Sequence, residues 1–184
     1  MKGIKNGFTV LEILVSISLF TIVILLVNSM YSLSQFSYNK GSNKSELVQN
    51  ARVSLDRISR ELRQSVDIIT NLPETEGSAV AEIFFQDGHD VNQITYLRYH
   101  LNGTDLYRAY TAYYFEPDED TYVSYYSRDE FGGEPEVIDL GDLIVGEYFS
   151  DLDFWGSGGL INVSLELAKA QEAFNINSSI FTRN

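Results

Sequence analysis

Apolar and polar positions along this chain follow three successive rhythms. From Ile13 to Val27 the run is apolar, of membrane-spanning character. From Glu46 to Ile69, Leu47, Ala51, Leu55, Ile58, Leu62, Val66 and Ile69 recur at steps of three and four. Arg52, Asp56, Arg57, Arg60, Glu61 and Arg63 lie mostly off that stripe, which predicts an amphipathic helix. Asp56 and Arg60 are spaced to support one another one turn apart. Between the two stretches, Ser37–Ser45 is polar and contains Gly41, a place where the helix is weakened or interrupted. A helix unbroken from Phe8 to Ile69 would be roughly 90 Å long.

After Asn71-Leu72-Pro73 the period becomes alternating. Strands are predicted over Val80–Gln86, Gln93–Leu101 and Asp105–Thr111, with turns at Asp87-Gly88 and Asn102-Gly103. Ile161, Val163, Leu165 and Leu167 alternate with Asn162, Ser164 and Glu166, a half-buried strand, and Ser179–Arg183 closes the sheet. The expected fold is α+β: a long N-terminal helix, half membrane and half amphipathic, packed on a mainly antiparallel sheet. The expected division is a leader over 1–7, a membrane helix over 8–33, a stalk over 34–70 and a β-rich head over 71–184.

The junction at the front carries the strongest functional signal. Lys2 to Glu12 reads Lys-Gly-Ile-Lys-Asn-Gly-Phe-Thr-Val-Leu-Glu and enters the apolar run directly. A secretory signal places its cleavage site after the apolar core, whereas the boundary here, Gly7 to Phe8, precedes it. Lys2 and Lys5 keep their end on the cytoplasmic side, so the bulk of the chain lies outside. Glu12 is costly in such a helix, by about 2.5–3.5 kcal/mol at a membrane centre and less toward an end. Either it reaches the headgroups near Lys5 and does nothing, or it has a partner.

Gly7-Phe8-Thr9-Val10-Leu11-Glu12 resembles the processing motif of type IV pilins and pseudopilins. That resemblance implies that a prepilin peptidase cuts after Gly7 and methylates the new amine of Phe8, and that Glu12 meets this amine on an adjoining subunit. The physics is sound: a buried carboxylate is tolerable when an opposite charge satisfies it, and a misplaced subunit leaves both charges unpaired. The chain departs from many family members in lacking a proline further along the helix. Ile94-Thr95-Tyr96 with Gly103, Leu106 and Arg108, the strand from Ile161 to Leu167, the stalk sequence from Ala51-Arg52 to Arg63-Gln64, and the ending Phe181-Thr182-Arg183-Asn184 are similar to J-type minor pseudopilins of type II secretion and related minor pilins. The implied partners are other pilin-like subunits and, indirectly, an assembly ATPase and a platform protein. The implied location is the cell membrane, crossed once, with later extraction into a filament.

Composition narrows the alternatives. The absence of cysteine removes disulfides, thiol catalysis and cysteine metal sites. Net charge is −13, with the acidic residues concentrated after Val66, the wrong sign for a nucleic-acid surface. Arg52, Arg57, Arg60 and Arg63 read either as a basic docking stripe for DNA or an acidic neighbour, or as a solvated face that also offsets acidic residues of its own domain. Glu116, Asp118, Glu119 and Asp120 read as calcium ligands or a solvated acidic loop; they lack EF-hand spacing, and no metal or cofactor is assigned. Tyr107, Tyr110, Tyr113, Tyr114, Phe115, Tyr122, Tyr125 and Tyr126 offer a recognition surface or strand packing. His89 and His100 lie on different elements without a nucleophile. Gly156-Ser157-Gly158-Gly159 lacks the strand-and-helix setting of a nucleophile turn. The expectation is a non-enzymatic minor pilin or pseudopilin that helps start or cap a filament. The alternative is an anchored or tip-borne binding module with a tyrosine-rich head.

Overall fold

The computed structural model describes residues 9–89, 93–116 and 118–183. They form two compact units, one ending at Ser42 and the other beginning at Asn43. One helix, α1 (Val10–Gln64), contributes to both and is unbroken at Gly41. A single glycine costs a helix only about 1 kcal/mol relative to alanine, which its neighbours readily outweigh.

In the first unit every residue from Thr9 to Ser42 is exposed, and the helix is long and apolar enough to cross a membrane. Four of its hydroxyls return to carbonyls of the same helix. Ser16, Ser18, Thr21 and Ser29 donate to the carbonyls of Glu12, Leu14, Ile17 and Leu25 at 2.7–2.9 Å. Back-bonding of this kind removes the polar penalty of serine and threonine in an apolar solvent.

In the second unit Leu47, Ala51, Ile58 and Leu62 of α1 are fully buried, as the helical period predicts. The helix ends at Gln64, short of the expected Ile69. Ser65 turns the chain out by donating both its amide and its hydroxyl to the Leu62 carbonyl. The β-branched residues beyond it favour extended backbone and find a partner: β1 (Asp67–Ile68) pairs with β2 (Glu82–Gln86), and Val66 donates its amide to the Gln86 carbonyl at 3.1 Å. Val66, counted above with the helical stripe, is consequently 53% exposed. Gly88 permits the close approach at this corner, because a Cβ there would lie 1.9 Å from the Gln64 carbonyl oxygen.

The head contains two antiparallel sheets. Five strands run in the order β1-β2-β3-β4-β5, with β3 Thr95–Asn102, β4 Asp105–Tyr114 and β5 Glu136–Gly146. Three more, β6 (Phe149–Ser157), β7 (Leu160–Lys169) and β8 (Glu172–Phe181), form the second sheet in chain order. Paired backbone hydrogen bonds between Val80 and Phe154 join β6 to the segment before β2. The α1 stripe, Ile83, Phe85, Leu97 and Tyr99 of the first sheet, and Leu152, Phe154, Val163 and Leu165 of the second share one core. The fold is therefore α+β, with a helix packed on antiparallel sheet.

The β3–β4 hairpin turns through Gly103 and Thr104, and Gly103 takes φ +65° at the first loop position, the arrangement a tight hairpin favours. Gly158 and Gly159, at φ +61° and +81°, make the β6–β7 hairpin. Strands β5 and β6 were not expected from the sequence. Strand β5 carries two register irregularities, between Asp139 and Gly141 and between Ile144 and Gly146, and β6 one, between Phe149 and Asp151; each extra residue reverses the alternation on either side. The last strand begins at Glu172 rather than Ser179, its alternation diluted by asparagine and serine.

Candidate functional site at the start of the helix

Gly7 and Phe8, the expected processing pair, lie outside the described residues. The described site begins at Thr9, which precedes the first helical residue. The amide of Glu12 donates to Thr9 Oγ1 at 3.3 Å, while Glu12 Oε2 accepts from the Thr9 amide at 2.9 Å and from its hydroxyl at 3.0 Å. This is a reciprocal capping box, which satisfies amides that a helix start otherwise leaves without acceptors. The Thr-x-x-Glu spacing from Thr9 to Glu12 is a legible sequence signal for it.

The cap does two things for the carboxylate. It holds the side chain against the first turn, where the partial positive charge of the helix end favours an anion. It also engages one oxygen: among the described residues nothing donates to Oε1. Glu12 is therefore an oriented, exposed carboxylate with one face open to a cationic donor.

The head holds a second glutamate in the opposite condition. Glu61, placed off the apolar stripe by sequence, is only 6% exposed. Tyr99 donates its hydroxyl to Oε2 at 2.7 Å, Arg108 Nε lies 3.1 Å from both oxygens, and Arg57 Nε lies 3.4 Å from Oε1. Burial, reinforced by the Glu61 charge, raises the Tyr99 pKa well above the ordinary phenol range, so Tyr99 stays a neutral donor. This network ties α1 to β3 and β4. The helix ion pair at i, i+4 is thus Arg57–Glu61, and the expected Asp56–Arg60 pair does not form among the described residues.

Arg52, Arg60 and Arg63 are exposed and, with Leu55, line a shallow hollow of about 550 Å³ beside Ile176 and Ser178 of β8. Asp56 shares its wall. Glu116, Asp118, Glu119 and Asp120 are exposed, and among the described residues no three such side chains are arranged to hold a metal ion.

The tyrosine run divides into separate settings. Tyr96, Tyr113 and Tyr125 pack with Phe84, ring centroids 5.3–6.5 Å apart, and Tyr96 accepts the Tyr125 amide at 2.8 Å. These rings attach the segment after β4 to the sheet face away from α1. Tyr110 donates to Thr95 and Tyr114 to Glu136. Tyr126 and Phe131, 58% and 96% exposed, are more open than Tyr125 at 38%. His89 bonds Asp87 and His100 stacks on Tyr107, with no hydrogen bond joining the two histidines. No protein-family model, curated protein or solved structure matches the chain.

Proposed function

We propose that this chain is a minor pilin-like or pseudopilin-like subunit, cut after Gly7 and incorporated into a membrane-rooted filament through Glu12. The observation that carries the proposal is a carboxylate held at the first turn of α1, at the head of a stretch exposed from Thr9 to Ser42, with one oxygen capped and no described residue donating to the other. Removal of residues 1–7 creates an amine at Phe8. The capped Glu12 then offers Oε1 to such an amine on a neighbouring subunit. In an apolar surrounding an unpaired ammonium or carboxylate is costly, so each subunit seats where both charges are matched. A prepilin peptidase, companion subunits, a platform protein and its ATPase are the partners this role needs.

Glu12→Gln separates the two uses of the side chain, since glutamine keeps a capping box but carries no charge. The expected result is normal insertion and cleavage with loss of filament entry, as for Glu12→Ala and Glu12→Val. Assembly of Glu12→Gln at the wild-type level would leave Glu12 a cap and overturn the pairing role. Intact mass from native membranes reads the first step: a chain starting at N-methylated Phe8 is expected, and only when the peptidase is present. A second reading, recognition by the head, draws on exposed Phe131 and Tyr126 rather than on Tyr113. Replacing both by alanine should then abolish partner binding without changing assembly.

A further inference from the structure

The two sheets of the head end in open edges of opposite character. In the first sheet β5 pairs with β4 on one side only, and Glu136 through Ile144 are exposed without interruption. This edge presents Val137, Ile138, Leu140, Leu143 and Ile144, with Glu136, Asp139 and Asp142 among them and no basic residue. In the second sheet β8 pairs only with β7 and leaves its other side open. It is bordered by the hollow lined by Arg52, Arg60 and Arg63, none of which has a carboxylate at ion-pair distance among the described residues. The edges match in length, 11 residues in β5 and 10 in β8.

An exposed strand edge is a row of unpaired amides and carbonyls and a template for another strand. Proteins that must stay single blunt such edges. Here β5 has bulges and carboxylates, but its apolar side chains remain uncovered. Pairing β5 with β5 of another copy would bring Asp139 and Asp142 toward like charges, which is unfavourable across strands. Bringing β8 to β8 would crowd two arginine-lined hollows. Pairing β5 with β8 opposes carboxylates to unpaired guanidiniums and covers the apolar edge.

We propose that the head binds a second copy of this chain head to tail, the β5 edge of one molecule adding to the β8 edge of the next with Asp139 and Asp142 toward the Arg52–Arg60–Arg63 hollow. The contact is heterologous, so a pair keeps one free edge of each kind, β8 on one head and β5 on the other, and the arrangement repeats. It deepens the assembly reading by naming a partner for the head, and it is independent of the Phe8–Glu12 pairing.

The chain expressed as two differently tagged full-length copies, in membranes solubilised at low ionic strength, tests this through copurification. R60E/R63E on both copies, or D139K/D142K on both, should lower recovery at least tenfold. All four substitutions on one chain should restore it, as should an R60E/R63E copy paired with a D139K/D142K copy. All four residues are exposed, and because Asp139 Oδ1 also accepts the Gly141 amide at 2.8 Å, D142K alone, with wild-type melting, should lower recovery in the same direction. No wild-type copurification, unchanged recovery with R60E/R63E, increased recovery with D139K/D142K, or failure of both restoring combinations with melting intact would each overturn the proposal. Peptidase-deficient cells give the same readout, so failure here is distinct from failure of Glu12-dependent filament entry.

Discussion

The two stretches of α1 solve the same problem in opposite ways. From Asn43 onward, Leu47, Ala51, Ile58 and Leu62 disappear into the chain's own core, whereas every described residue from Thr9 to Ser42 is exposed. Each stretch also carries a glutamate. Glu61 has its partners within the head, whereas among the described residues Glu12 has a cap and no cation. The first pattern belongs to a folded domain, complete in itself. The second is an apolar surface headed by a carboxylate that no described residue pairs with a cation, and it suits an apolar surrounding.

Substitutions sharpen this contrast. The largest stability effect is expected at Glu61: Glu61→Ala strands Arg108 and the Tyr99 hydroxyl in the interior, a loss of about 3–5 kcal/mol in denaturant unfolding of the head. Ile58→Ala should cost about 2–5 kcal/mol through the cavity it leaves. Gly88→Ala forces the loop off the Gln64 carbonyl and should cost about 1–3 kcal/mol. Glu12→Gln should leave head unfolding within about 0.5 kcal/mol while abolishing filament entry. A Glu61 variant with wild-type melting, or a Glu12 variant with a destabilised head, would break the comparison.

The smallest effect concerns pH. The Lys169 ammonium holds the Glu46 carboxyl below its ordinary range, and Lys169 is raised in turn through its hydrogen bonds to Glu46 and the Tyr148 hydroxyl. A lowered carboxylate contributes stability above its unfolded pKa and loses it as pH falls through the folded value. A raised lysine contributes below its unfolded pKa and loses stability as pH rises through the folded value. The pair is therefore at full strength between the ordinary carboxylate and lysine ranges. Glu46→Gln should slightly flatten both limbs of the melting profile, with little change outside them.

Much of this arrangement was legible in the residues, and the gaps have physical causes. The helical stripe through Leu47, Ala51, Ile58 and Leu62 and the alternation from Ile161 to Leu167 were readable because each lies on an element with one buried face. The helix end was overrun because Val66 and Ile69 happen to continue the period, while the competing strand partner, Phe84 to Gln86, lies far along the sequence. Strands β5 and β6 escaped notice because bulges reverse their alternation. At the candidate site, position and charge pointed to Glu12, and the cap was present in the spacing to Thr9. Glu61 was unreadable as a buried group, since its helical position is polar and its partners come from β3, β4 and the preceding turn.

The hydroxyls of Ser16, Ser18, Thr21 and Ser29, each returned to a carbonyl of its own helix, have one more consequence. These four hydroxyls need no outside acceptor, so for them acyl chains and neighbouring helices are equivalent surroundings. Over the apolar run from Ile13 to Val27, whose Ser16, Ser18 and Thr21 are all of this kind, side-chain packing alone distinguishes one apolar surrounding from another.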